Sequence, residues 1–489
     1  MLKLLITMPL FGIFLIQISK YLFGFLNNLA RTLGMLSSIV TMYISLYMLI
    51  KMNNNSNEYQ YREIIDLDYI RITLGIDGIS LSLIIVTTIL IPILILLKER
   101  NNSYNLHDIV ILLLVMESML LFLFSALDLF FFFLFFELLL IPMFLLIGKY
   151  GSKEKKIEAA YRFIGVSMMG SLIMLITLII MYVKFGTTNN EILLLKLNNY
   201  HLFGHNNFNS LILSFFWLSF FLSFAIKVPI FPFHTWLPFV HVEAPTIGSM
   251  LLAGIMLKLG TYGIIRYTVN LFGDFNYYFL PIIFIMTILS IVYGSLTTIR
   301  QIDLKKIIAY SSIVHMNYAV IGFYSNEIEG ILGANYLMIS HAFVSCGLFL
   351  LIGLIYKRYH SRILLYYGGL VLTMPLYATS MIILTLANVS LPLTSSFISE
   401  ILIIIGSFKL NFFVAFIISL SLILSTTYGI WLANRLLFGD FSRYIKESVD
   451  LTKTEIIAII PLIILTIILG INTKILFNIY SLPVLNLLF

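Results

Sequence analysis

Five ionisable side chains fall inside runs of sequence that are otherwise apolar. They are Glu117 in LLLVMESMLL, Glu137 in FFFLFFELLLIP, Lys227 in FAIKVPIFPFHTWLPFVHVEAP, Lys258 in GSMLLAGIMLKLGTYG and Glu400 in SLPLTSSFISEILIII. A charge at the centre of a membrane-spanning helix costs roughly 2.5–3.5 kcal/mol, so these groups must pair, face water or change protonation. Two chemistries fit. The groups can be structural ion pairs that tie helices together, or they can pass protons. Burial disfavours the charged form of lysine and of glutamate alike, and an opposite charge nearby restores it. A buried Lys–Glu pair therefore switches protonation when its partner moves. Lysine and glutamate can both exchange protons, whereas arginine stays charged, and the reading places no arginine in mid-span. Three histidines add candidates: His241 in HVEAPT, His315 in IIAYSSIVHMNYAV and His341 in YLMISHAFVSCG. A lone histidine in a helix is more often a packing residue, but two in adjacent spans can carry protons between Lys258 and Glu400.

These residues must be held by membrane helices. The chain has 489 residues, of which 60% are hydrophobic and 11% charged, with a mean hydropathy of +1.01. A soluble domain is about 45–50% apolar and about 25% charged. Apolar runs predict about fourteen helices of about 20 residues each, centred near residues 10, 40, 87, 116, 138, 172, 222, 255, 287, 316, 344, 393, 425 and 465. The stretches 52–75 and 186–209, rich in Asn and Tyr, read as surface turns. Two spans are interrupted. Pro229 and Pro232 break the helix just after Lys227, and Pro392 precedes Glu400. A broken helix at membrane depth implies a hydrated, protein-lined pocket, because freed carbonyls need partners. The two breaks lie five spans apart, which makes the second half an inverted copy of the first. The predicted fold is thus all-α, a polytopic membrane protein with two inverted five-helix repeats, each containing a broken helix. Gly248, Gly254, Gly260 and Gly263 surround Lys258 and predict that it faces the bundle interior.

Basic residues in the loops give an orientation. Loops after odd-numbered spans carry 19 and those after even-numbered spans 7, so the odd loops face the cytoplasm or an organelle matrix and both termini lie on the opposite side. The net charge of +7 is spread over these short loops, which argues against nucleic-acid binding. There is one cysteine, Cys346, and no P-loop, GxGxxG or cysteine cluster for an iron–sulfur centre. No secretory signal or Arg-rich presequence is evident.

The segment FAIKVPIFPFHTWLPFVHVEAPTIGSMLLAGIMLKLGTYGIIR, with DLFFFFLFFELLLIPMFLLIG before it and RQIDLKKIIAYSSIVHMN and SLPLTSSFISE after it, resembles the antiporter-like subunits of respiratory complex I, over about residues 105–440. Glu400 stands where two branches of that family, chains 2 and 5, typically carry lysine. In this it is similar to the chain 4 branch. The resemblance implies that Glu137 and Lys227 form the ion pair of the first half-channel, that Lys258 is the central lysine and Glu400 the terminal acid, and that His315 and His341 lie on the connecting axis. Glu117 falls where the branch tends to carry an acid, and His241 is a further relay candidate. It also implies N-terminal helices over 1–104, antiporter-like repeats over 105–270 and 271–440, and a C-terminal helix over 441–489. By the same resemblance the chain is a core membrane-arm subunit of a proton-translocating NADH:ubiquinone oxidoreductase, coupled to remote electron transfer. It then holds no cofactor, metal, NADH site or quinone site of its own, while FMN and iron–sulfur clusters sit in partner subunits. Its partners are membrane lipids and other membrane-arm subunits, with chains 2 and 5 as neighbours. The composition fits the mitochondrial inner membrane, with the termini on the intermembrane-space side; a bacterial plasma membrane stays open. Alternative readings are a subunit of a multi-subunit cation/proton antiporter, a structural membrane scaffold and a stand-alone transporter.

Overall fold

The structure is a computed structural model that describes residues 1–23, 27–53, 58–67, 70–97, 106–152, 154–203, 207–440, 442, 444 and 449–488. Among them, twelve helices are long and apolar enough to cross a membrane. Each contains one of the expected centres. Of the other two, 222 falls in the helix that ends at the first interruption and 393 falls within the second. The helix Asn207–Lys227 ends at the lysine itself, turns occupy 228–235, and helix resumes at Trp236–Glu243. Near 393, Pro375–Asn388 stops and Ser395–Leu410 begins after a turn. The span around Glu137 is also interrupted. Leu129–Leu138 and Leu140–Tyr150 are separate helices, because Pro142 has no N–H to offer the carbonyl of Leu138.

The chain forms two compact units. The first comprises Met1–Tyr150, Ala160–Phe224 and Gly263–Asn276. Its N-terminal helices Leu2–Phe23 and Asn27–Lys51 pair with each other and with Gly78–Leu96 and Leu106–Ser125. Asp77 caps Gly78–Leu96 in a capping box with Ser80, satisfying donors that a helix end leaves open. The stretch expected as turns over 52–75 instead holds an antiparallel hairpin, Gln60–Leu67 with Ile70–Ile76. The sequence QYREIIDL mixes polar and apolar residues closely, which suits a half-buried strand. Thr73 ties the hairpin to Asp128 through its N–H (3.0 Å) and hydroxyl (2.9 Å). The second expected loop, 186–209, contains the helix Asn190–Phe203. Arg62 pairs with Glu191 at its start (2.7 Å).

The second unit comprises Gly151–Ala159, Ala225–Tyr262 and Tyr277–Phe489. Its central helices are Leu304–Tyr324 and Ile328–Tyr359, with Ser395–Leu410 packed on both. Contact with Ile328–Tyr359 is backbone against backbone. A Cβ on Gly333 would stand 2.8 Å from the carbonyl oxygen of Ser399, and such small residues let membrane helices approach closely. The C-terminal region forms two helices, Lys453–Ile471 and Lys474–Leu488.

Several basic residues counted as loop charges sit elsewhere. Lys305 lies in the first turn of Leu304–Tyr324 at 1% exposure. Arg266 lies within the apolar span Thr246–Val269 and is buried, so an arginine does occur inside a span. Arg362 is in a loop but buried; burial lowers its pKa, opposed by Tyr356, Asp303 and Glu243. Lys98, Arg100, Lys153, Arg443 and Lys446 from the same count lie outside the described residues.

Arg266 Nη1 meets Asp77 Oδ2 at 2.6 Å, with side chains 8% and 14% exposed, and its guanidinium lies 4.7 Å from the Tyr59 ring centre. Removing one member of so enclosed a pair strands the other, at about 3 kcal/mol. Arg266→Gln should therefore lower the thermal unfolding midpoint in detergent. Asp77→Asn should do the same although asparagine keeps the helix cap. Midpoints unchanged in both variants would show that the pair contributes nothing to stability.

Candidate functional site

Lys258 is fully buried, as expected of a lysine facing the bundle interior. Its helix is not uniformly α. Two π-helical segments, Leu252–Met256 and Ile264–Val269, flank the α-helical turn Leu257–Gly263 that carries it. Single π turns widen a helix and recur at functional sites. The ammonium Nζ donates to the carbonyl of Ala253 and lies 2.9 Å from His341 Nδ1. Either polarity satisfies this contact: a protonated lysine donates to the ring nitrogen, and a neutral one accepts from it.

His341 sits in mid-helix on Ile328–Tyr359, and its ring centre is 5.7 Å from that of His315 on Leu304–Tyr324. His315 Nδ1 in turn lies 2.9 Å from Glu400 Oε1. The other carboxylate oxygen of Glu400 accepts a hydrogen bond from Ser390 Oγ. Lys258, His341, His315, Glu400 and Ser390 thus follow one another as a line of titratable and hydroxylic groups, all within the second unit. His315, His341 and Glu400 are 2–3% exposed. The Tyr318 ring stands edge-on to His315 at 5.9 Å, and its hydroxyl bonds Ser421 Oγ at 2.7 Å.

Glycine contacts hold two helices of this line close together. The Glu400 helix approaches the His341 helix at Gly333 and again where Gly406 faces the backbone of Gly330. The turn between Asn388 and Ser395 holds Ser390 at φ 63° and Leu393 at φ 79°. That left-handed conformation is costly for residues with a Cβ, and it bends the chain so that Ser390 comes back onto Glu400.

The other candidates lie elsewhere. Lys227 is 3% exposed at the end of its helix, before the turn in which Ser290 Oγ accepts from Phe231 N–H (2.7 Å) and Asn317 Nδ2 donates to the Pro229 carbonyl (3.4 Å). Glu137 is half-buried beside the Leu139 interruption in the first unit. Glu117, also in the first unit and fully buried, accepts from Thr41 Oγ1 at 2.6 Å. His241 is buried in the second unit and stacks on Phe349, with ring centres 4.5 Å apart and planes 5° from parallel.

Two members of the second unit escaped the sequence reading. Ser390 is one serine among many, and nothing in ANVSLPLTSS distinguishes it. Lys305 donates to the Ala244 carbonyl (2.8 Å) and to Ser249 Oγ (3.0 Å), closing the corner between Trp236–Glu243 and Thr246–Leu251. Here a signal existed. Asp303 caps the helix through Lys305 N–H, and an Asp just before an apolar run marks a helix start, which would have moved Lys305 out of the loop.

Comparison with known proteins follows the same lines. Residues 126–426 match a family model described as NADH:quinone oxidoreductase/Mrp antiporter, TM. The chain is 43% identical to NADH-ubiquinone oxidoreductase chain 4 of Marchantia polymorpha, covering 99% of this chain and 96% of that protein. It is 42% identical to the protein of that name from Arabidopsis thaliana, over 94% and 92%. Among solved structures, a chain of respiratory complex I from Thermus thermophilus with bound NADH matches with a TM-score of 0.86 at 26% identity, covering 100% of this chain and 99% of that one. A chain of the Mrp complex from Dietzia sp. DQ12-45-1b shares the fold, with a TM-score of 0.84 at 17% identity over 99% and 97%. By the family model and by these relatives, the chain belongs to the chain 4 family of NADH-ubiquinone oxidoreductase.

Proposed function

We propose that the chain is a membrane-arm subunit of a proton-translocating NADH:ubiquinone oxidoreductase and that it moves protons through the line Lys258, His341, His315 and Glu400. The observation that carries this reading is the pair of 2.9 Å contacts, Lys258–His341 and His315–Glu400, joined by two histidine rings 5.7 Å apart. Lysine, imidazole and carboxylate each exist in two protonation states, both of which form hydrogen bonds, so a proton can leave one group and reach the next without stranding a buried donor. The chain does no redox chemistry; electrons pass through partner subunits that hold FMN and iron–sulfur clusters, and neither NADH nor quinone binds here. Chains 2 and 5 of the same complex are its neighbours in the mitochondrial inner membrane.

Glu137 and Lys227 serve proton intake, with Glu117 and His241 as auxiliary proton groups. The two breaks are the corresponding hydrated sites of inverted repeats spanning 105–270 and 271–440. A multi-subunit cation/proton antiporter is the competing reading, supported by the shared fold. Purification of the native assembly separates the two: flavin and iron–sulfur absorbance with NADH–quinone activity supports the oxidoreductase, and co-purification with membrane chains alone supports the antiporter.

Lys258→Ala is expected to leave the complex assembled and to reduce NADH–quinone turnover, because electron transfer is coupled to proton movement. Lys258→Arg should fail as well, since a guanidinium holds its proton. An assembled Lys258→Ala complex that pumps at the normal rate and the normal ratio to electrons would remove Lys258 from the path.

The termini are expected on the intermembrane-space side. A tag at either end should be open to protease in intact mitoplasts. Cleavage only after the inner membrane is ruptured would reverse the topology.

A further inference from the structure

Ser390 reaches Glu400 because the turn between Asn388 and Ser395 has a particular shape, and that shape is costly. Both Ser390 and Leu393 occupy the left-handed region, which is unfavourable for a residue with a Cβ and persists only if its surroundings hold it there. The turn makes some bonds of its own. Leu391 N–H donates to the Leu386 carbonyl (3.0 Å) and Thr394 N–H to that of Leu391 (3.1 Å), while Ser396 Oγ donates to the carbonyl of Ala387. External support comes from the helix Lys453–Ile471. A Cβ placed on Gly470 would collide with the carbonyl oxygen of Leu393 and lie 2.6 Å from the carbonyl carbon of Thr394. The helix end therefore touches the turn backbone to backbone.

That helix end is itself fixed from the other side. Tyr336, fully buried on Ile328–Tyr359, donates its hydroxyl to the carbonyl of Leu469. Tyr336 stands five residues before His341 on the same helix. One rigid element thus carries both a member of the proton line and the group that anchors the helix pressed on the turn. The start of Lys453–Ile471 is pinned too, by a capping box between Thr452 and Glu455 and by Arg358 on Glu455 at 2.7 Å. Arg358 comes from the far end of the same Ile328–Tyr359 helix.

We propose that the C-terminal turn of Lys453–Ile471, held by Tyr336 at Leu469 and pressed on the turn at Gly470, is a strut that positions Ser390 against Glu400. Gly470 and Tyr336 are positioning residues; neither touches the reacting groups. This inference rests on the reading of Glu400 as a proton carrier, and its test separates the two.

The native complex is purified with Gly470→Ala, Tyr336→Phe, Ser390→Ala or Glu400→Gln. Two readouts are taken: the pH profile of NADH–quinone turnover, and the infrared carboxyl band that Glu400→Gln removes. Ser390→Ala deletes a hydrogen bond to the carboxylate, worth on the order of ten-fold in an equilibrium involving that group. It should move both the band and the profile. Gly470→Ala should move both in the same direction as Ser390→Ala, and Gly470→Ala combined with Ser390→Ala should add nothing further, since both act through one bond. Tyr336→Phe, which changes no packing volume beyond one oxygen, should give the same shift at smaller size, and it carries the test if Gly470→Ala prevents assembly. Loss of turnover in Glu400→Gln together with an unmoved band and profile in assembled Gly470→Ala or Tyr336→Phe would overturn the strut and leave the proton line standing. Normal turnover in Glu400→Gln would overturn the proton line itself.

Discussion

A lysine among hydrocarbon side chains is tolerable only if every hydrogen-bonding group around it is satisfied. In the second unit this constraint acts at Lys258. No water of the bulk reaches it, its helix cannot unwind in an apolar surround, and the cost of leaving an ammonium unpaired there exceeds that of any local distortion. The structure answers with a carbonyl at Ala253 and a ring nitrogen at His341. That second partner then needs its own environment. The His341 ring in turn stands 5.7 Å from that of His315, whose Nδ1 lies 2.9 Å from Glu400 Oε1.

The same constraint explains why helices meet where they do. Gly333 and Gly406 bring the Glu400 helix onto the His341 helix at backbone contact, while the 2.9 Å bond of Glu400 is made to His315 on a third helix, Leu304–Tyr324. The breaks near Lys227 and Glu400 serve the opposite purpose. They open the backbone where a continuous helix would seal it, and local side chains such as Ser290, Asn317 and Ser396 satisfy the groups released.

Much of this was legible in the amino-acid order, and the reasons differ by feature. Long apolar runs marked the helices, because a membrane span leaves a signal about 20 residues wide. Proline marked the breaks at 229, 232 and 392, because a missing N–H acts locally. Five charges in apolar sequence marked the candidates. What was not legible depends on tertiary contact. The pairing of Lys258 with His341 joins residues 83 apart, and no spacing rule encodes it. The π turns around Lys258 arise from packing. Ser390 became a partner of Glu400 only through a turn held in a left-handed conformation. The hairpin at 60–76 was missed for a different reason: its Asn- and Tyr-rich flanks resemble turns, while the strand signal itself is short and mixed. Arg266 and Lys305 were misplaced because a count of loop charges cannot tell a buried basic residue from an exposed one.

The central claim is that Lys258 and Glu400 belong to one path. The most direct measurement is a double-mutant comparison of NADH–quinone turnover in the assembled complex, with Lys258→Ala, Glu400→Gln and both together. Two residues of one line fail as a unit, so the account predicts that the double variant is no slower than the slower single variant. A double variant slowed by the product of the two single losses would mean that they act independently, and the line from Lys258 through His341 and His315 to Glu400 would not be the path.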